Sequence, residues 1–420
     1  MKYKFKNKYG LIIGIGFSVS ILSRIQTFES TLPSVVLEIL VFSVILLLGL
    51  YNNRYIKLTK SSFILLTLLG VTFMYAVISS FWALYPRLTA QRAFLALTLP
   101  IALFLIVTVD NQRKNTFRVL SRIIIIFGSM FALTGILLYF FGEIGSAGGR
   151  TIQYITIGPV EISQNVYGPQ NRISSILGNP NTLAGFLVAS LPLTLILYFD
   201  SQRGLIYALG IIIQFSGLIL TGSRTGTVAV VCGLTIAFFL ISLDKSYRVK
   251  SLLKSNPKIL AIIAVFTTIV PTMSPMLLQQ RFIDISSDTL EGSGRVETWT
   301  SIWHYSMTNL QGTGFGISRE VIPGVYTSPH SDYFTVLGEL GIVGVVLFGL
   351  VVGVTVWYGL KSHMYAPVND RLYLAGAIAV FVAFTVHGFA EMTITRGGGR
   401  QLFWAYFLAY IACYSKNGRQ

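Results

Sequence analysis

A train of apolar runs constrains this chain more than anything else in it. They lie near 11–25, 32–51, 61–81, 88–109, 119–141, 181–199, 205–221, 225–243, 259–274, 341–360, 372–390 and 401–414. A helix crossing about 30 Å of hydrocarbon needs roughly 20 residues, and most of the runs have that length. In lipid a segment must satisfy its own backbone polar groups, which a helix does. The sequence therefore predicts an all-α polytopic membrane protein with about 12 transmembrane helices, a single integral membrane domain over 1–420. Charged residues make up 11% of the chain, against about 25% in soluble domains. No small-residue cleavage site follows the first run, so it reads as a helix rather than a cleavable signal. Cys232 and Cys413 lie inside apolar runs and read as small core residues, not as a disulfide framework.

The net charge of +16 would suit nucleic acid, but the positions of the charges point to membrane topology instead. With Lys2, Lys4, Lys6 and Lys8 in the cytoplasm, threading the runs puts every lysine on the inside, as the positive-inside rule prefers. Both termini come out cytoplasmic. The outer segments carry arginine alone: Arg24, Arg87, Arg92, Arg150, Arg172, Arg224, Arg281, Arg295, Arg319, Arg396 and Arg400. Lysine as the ordinary orientation signal accounts for the split in a bland way. A sharper account is that arginine is wanted outside because its planar, permanently charged fork grips phosphate oxygens in pairs.

Two outer loops are long, 142–180 and 275–331. The first holds short strand-like pieces (QYITI, VEIS) and ends in Asn179-Pro180-Asn181, a turn into the next helix. The second holds a predicted helix from about Arg295 to Leu310. Its apolar stripe, Val296, Trp299, Trp303, Met307 and Leu310, has helical spacing and suits the membrane interface. Gly312, Gly314 and Gly316 follow in GTGFG. That stretch lacks the strand-then-helix setting of a nucleotide fingerprint and reads as a bend.

Polar residues near these loops are the candidate site. His330, after Pro329 and before Ser331 and Asp332, could take a proton from a sugar hydroxyl; the plain alternative is an interfacial histidine. Arg224 sits in TGSRTG, a tight, donor-rich turn suited to an anion, or else it is a snorkelling anchor. Arg295 sits in GSGRVETW at a predicted helix start, where backbone amides also favour anions, or it pairs with Glu291 or Glu297. Arg172 precedes the Asn-Pro-Asn turn and could simply brace the loop. No Asp-x-Asp and no metal-ligand spacing occurs, so neither a metal nor a cofactor is expected. Few acids lie deep in the spans: Glu38 is the clearest, and Glu339 lies near the outer end of its helix, which is thin for a proton-coupled carrier.

The stretches RISSILGNPNTLAG, LTGSRTGTVAVV, GSGRVETWTSIWHYSMTNLQGTGFG and PHSDYFTVLGELGIVG, in that order over about 170–350, resemble the O-antigen ligase and lipid-linked polysaccharide polymerase family. The resemblance implies a GT-C-like bacterial inner-membrane protein with a large late periplasmic loop, 275–331, carrying part of the active site. It implies a metal-independent, inverting glycosyltransferase. The donor would be a glycan on undecaprenyl diphosphate, and the acceptor the lipid A core in ligases or another lipid-linked repeat unit in polymerases. Membrane lipids, not nucleic acid, would be its other partners. Motif by motif, it implies that Arg224 and Arg295 bind the diphosphate and His330 activates the acceptor. Arg172, Asp332 and Arg319 are the candidate substrate-binding residues. Many members have Asn after the histidine, whereas this chain has Ser331 then Asp332, and Asp332 is expected to orient the imidazole. The lipid tail needs an opening between helices, and the Trp299/Trp303 helix is the expected wall. A carrier or flippase for lipid-linked sugars, or a scaffold protein derived from the enzyme, would share the helices and the cationic outer face. Ligase and polymerase share all of these motifs.

Overall fold

The computed structural model describes residue 18 and residues 58–110, 112–147, 150–158, 160–166, 172–200, 204–243, 295–325, 328–395 and 399–414. The runs predicted at 11–25 (residue 18 apart), 32–51 and 259–274, and loop residues 275–294, lie outside them. The other nine predicted runs are helices: α1 (Lys60–Ile78), α2 (Pro86–Val109), α3 (Arg113–Phe141), α4 (Pro180–Asp200), α5 (Gly204–Thr221), α6 (Arg224–Ser242), α9 (Asp332–Tyr365), α10 (Val368–His387) and α11 (Gly399–Tyr414). Among the described residues, eight helices are long and apolar enough to cross a membrane. The ninth, α11, has 16 residues, just below the usual spanning length. Two further helices lie in the second long loop, α7 (Arg295–Thr308) and the one-turn α8 (Ser318–Val321).

The turn predicted before α4 is built as the residue types require. The Asn179 Oδ1 accepts from the backbone amides of Asn181 and Thr182, and Pro180 takes the first helical position, where no amide is needed. From there α4 is buried on all sides, as an evenly apolar helix should be, with α3, α5, α6 and α10 packed against it. Close approach without a hydrophobic drive between helices needs small residues. At Gly233 of α6 a Cβ would come within 2.9 Å of both the Ala379 carbonyl and the Ala383 Cβ of α10, so that interface admits only glycine.

One end of the bundle is laced by polar contacts. Ser61 Oγ donates to the Ala412 carbonyl, Arg113 Nη1 to the Cys413 carbonyl, Lys114 pairs with Asp370 at 2.7 Å and Arg118 with Asp200 at 3.2 Å. The threading from lysine counts puts all of these residues on one side, and they do share an end.

In the first long loop the all-α expectation needs amending. Glu143–Ala147, Arg150–Ile157 and Val160–Asn165 form β1, β2 and β3, an antiparallel sheet in that order. The strand-like pieces QYITI and VEIS are β2 and β3; β1 had no clear β signature. Buried Gln164 ties the sheet down: its Nε2 donates to Gln153 Oε1, and its own Oε1 accepts from the amides of Ser174 and Ser175. That contact fixes the segment beginning at Arg172.

Candidate functional site

Helix α9 is broken, and the break sets the site. Gly341 has φ 62° and ψ −157°, a region essentially reserved for glycine. The carbonyls and amides freed there are met by the glycine bend: Thr313 N donates to Gly338 O, Gly314 N to Glu339 O, and Ile342 N to Leu310 O, each at 2.9–3.0 Å. Gly312, Gly314 and Gly316 all have positive φ, so the bend read in GTGFG is present and is clipped to the break. The first part of α9, from Asp332 to the break, thus returns to the loop with His330 just ahead of its N-terminus.

Several contacts fix that N-terminus. Ser331 Oγ caps it by accepting from Phe334 N. The Trp299 Nε1 of α7 donates to Pro329 O at 2.7 Å, and the Trp299 ring stacks on Phe334 with centroids 5.0 Å apart. His330 itself has φ 49°, a left-handed conformation uncommon outside glycine. Between α7 and the start of α9 lies a cavity of about 290 Å³ lined by Val296, Trp299, Thr300, Trp303 and Phe334. Val296, Trp303, Met307 and Leu310 of the predicted apolar stripe are exposed, as a face turned to lipid would be.

The groups converge on a residue that the sequence did not single out. Glu391, 8% exposed at its side chain, lies in the segment between α10 and α11. Its Oε1 accepts from Arg295 Nη2 at 2.9 Å and its Oε2 faces His330 Nδ1 at 3.6 Å. Asn181 Nδ2 also donates to Oε1, and Arg295 Nη1 donates to the neighbouring Ala390 carbonyl at 3.0 Å. Asn181 Oδ1 in turn accepts from Arg172 Nη2 at 3.0 Å, while Arg172 Nε holds the Thr221 carbonyl at 2.7 Å. Burial pushes the Glu391 carboxyl up, but the His330 imidazole and the Arg295 guanidinium pull it down further, so it stays below its ordinary value. The carboxylate form is the one the site holds.

Arg172, Arg295 and His330 are therefore brought together, through Asn181 and Glu391. Arg224 is exposed at the start of α6, just after Thr221 and the capping Ser223. Arg319 is exposed on α8. Its neighbours belong to another group, with Glu320 on Arg92 at 2.9 Å and Ser318 Oγ on Glu339 at 3.1 Å. Among the described residues no hydrogen bond or ion pair joins Arg319 to Glu391. Asp332 is fully buried and does not orient the imidazole as expected. Its carboxylate accepts from the amides of Thr393, Ile394 and Thr395 and from Thr395 Oγ1, and the carboxylate facing the imidazole is that of Glu391. Arg295 pairs with Glu391 rather than with Glu297 among the described residues.

Chemically, a carboxylate facing Nδ1 leaves Nε2 on the opposite edge of the ring available to a substrate. An imidazole held in this way can act as a base with the carboxylate as its orienter. The 3.6 Å separation is longer than a formed hydrogen bond, and such contacts commonly tighten when substrate binds. The Arg295 fork at the same carboxylate, and Arg172 behind Asn181, bring positive charge to this end of the site.

No curated protein matches the chain. The family model described as O-Antigen ligase matches residues 209–349, which run from α5 across the break in α9. Arg224, Arg295, Arg319, His330 and Asp332 lie inside the match, and Arg172 and Glu391 lie outside it. Over residues 209–349 this multi-pass membrane protein is similar to the O-antigen ligase family.

Proposed function

We propose that the protein is a glycosyltransferase of surface-polysaccharide or lipopolysaccharide biosynthesis, working at the periplasmic side of the bacterial inner membrane. It moves a glycan from an undecaprenyl-diphosphate carrier to an acceptor hydroxyl. The family domain supports the class of reaction, and the observation that carries the mechanism is the contact of His330 and Arg295 with one buried carboxylate, Glu391. In this reading His330 Nε2 takes the proton from the acceptor hydroxyl as its oxygen bonds to the anomeric carbon. The carbon–oxygen bond to the diphosphate breaks, and the leaving diphosphate keeps the electron pair. A single displacement inverts the anomeric centre. Arg295 and Arg224 take up the charge growing on the diphosphate, Arg172 braces Asn181, and Arg319 meets more distant parts of the substrate. Charge neutralisation by arginine lets the reaction run without a metal. A base in this position is commonly worth about 10²–10⁴-fold.

Ligase and polymerase are separated by one assay. Purified protein is given an undecaprenyl-diphosphate oligosaccharide with and without lipid A core, and no added metal. Product that requires the core identifies a ligase, and ladders from donor alone identify a polymerase. Movement of labelled donor across liposomes with no covalent product in either mixture would replace this reading with that of a carrier.

A further inference from the structure

Glu391 sits on a segment with no secondary structure of its own, residues 388–395 between α10 and α11. Such a segment needs fixing if its carboxylate is to meet His330. The strongest fixture is Asp332. Its two carboxylate oxygens accept from three consecutive backbone amides, Thr393, Ile394 and Thr395, at 2.9–3.2 Å, and from Thr395 Oγ1 at 2.7 Å. Consecutive amides converging on one anion form a nest, here filled by a side chain of the protein itself. Asp332's own amide donates to the Gly388 carbonyl at 2.7 Å, so the segment is held at both ends by one residue. A Cβ on Gly388 would strike the Asp332 carboxylate. Lesser ties add to this: His387 Nδ1 lies 2.8 Å from Thr393 Oγ1, and Ser328 Oγ meets Met392 Sδ.

The chain ahead of this anchor bears the base. His330 lies two residues before Asp332 and faces Glu391, which lies two residues before Thr393. One buried carboxylate thus ties the strand bearing the base to the segment bearing its orienter. We infer that Asp332 is a positioning residue that fixes the Glu391 carboxylate against His330 by pinning residues 393–395, and that it touches no substrate. The inference rests on the proposed transferase reading for its catalytic consequence but not for the anchoring itself.

The experiment therefore has two arms on the full-length protein in detergent. In the first, amide hydrogen exchange is followed over 388–395 in wild type, Asp332→Asn and Gly388→Ala. Protection of the 393–395 amides is expected to fall in both variants while α4 and α10 keep theirs. Unchanged protection overturns the inference whatever the enzyme does. In the second, turnover is compared in Asp332→Asn, Glu391→Ala and the double variant. A misplaced orienter costs about 10²-fold, and the double variant is expected to lose no more than Glu391→Ala alone, because both act through the same contact. Losses that multiply would mean that Asp332 supports the fold generally and would overturn the positioning role. Gly388→Ala leaves every charge in place, and its failure to lower turnover would do the same. If the wild type transfers nothing, the functional reading fails while the exchange arm still decides the anchor.

Discussion

Arg295 reaches two acceptors at once, the Glu391 carboxylate through Nη2 and the Ala390 carbonyl through Nη1. A lysine keeps the charge but cannot span both. Arg295→Lys is expected to lower transfer about 10- to 100-fold, the loss of one charge-assisted hydrogen bond of about 1.5–3 kcal/mol; initial rates at saturating acceptor measure it, and a wild-type rate would contradict it. Glu391 also makes stability depend on pH. Its folded value lies below the ordinary 4.5, so its contribution is complete above that value and is lost as pH falls through the folded one. The melting temperature of wild type should therefore fall more steeply than that of Glu391→Gln as pH drops below the ordinary carboxylate value of 4.5; parallel curves would argue against the pairing. His330, Arg224 and Arg295 stand out in the sequence because a proline bend and glycine turns mark them. Glu391 does not. It is a single acid in AEMTITRGGG, distant in sequence from everything it touches, and only the packing of α10 and α11 against α4 and α9 brings it to them. Asp332 was legible as important and misread in role, because adjacency to a histidine in sequence says nothing of which way a carboxylate at a helix start is drawn.

At the level of elements, the broken helix α9 is the unusual piece. The apolar run read over 341–360 and the loop ending at 331 gave no sign of a break between them. The structure continues helix on both sides of Gly341 and meets the freed backbone groups with residues 310–314. Non-helical backbone inside a membrane protein is tolerated where such partners exist. Buried Glu339 adds to the clip by accepting from Gly316 N at 2.7 Å and Ser318 Oγ at 3.1 Å. Gly341→Ala forces a side chain into a glycine-only conformation and against the Leu310 carbonyl. It is expected to cost at least about 1–3 kcal/mol, read as a lowered melting temperature in detergent, whereas Gly349→Ala, with open space around its Cβ, should be neutral. Equal melting temperatures for the two would mean that the break is not held as described. The glycines of GTGFG were legible as a bend, but their pairing with residues 338–342 was not, since backbone pairing leaves no trace in side-chain pattern.

For the whole molecule, the apolar runs carried most of the information. Nine runs became nine helices, and the residues assigned to one side by lysine counting meet at one end of the bundle, while Arg172, Asn181, Arg295, His330 and Glu391 meet at the other. Two of the three strands were legible as the pieces QYITI and VEIS, while β1, a short EIGSA stretch of a polar loop, has no alternating pattern to declare it. Sidedness can be read directly. Single cysteines placed at Tyr154 in β2 and at Asp370 in α10 should differ: the first is expected to react with an impermeant maleimide in intact cells, the second only after permeabilisation, and the reverse pattern would invert the topology. The most direct test of the central claim is transfer from an undecaprenyl-diphosphate oligosaccharide by purified wild type and His330→Ala, both checked for a native melting curve. Loss of covalent product in the variant, with donor binding retained, is the predicted result; full transfer by His330→Ala would contradict the assignment of the reaction to this site.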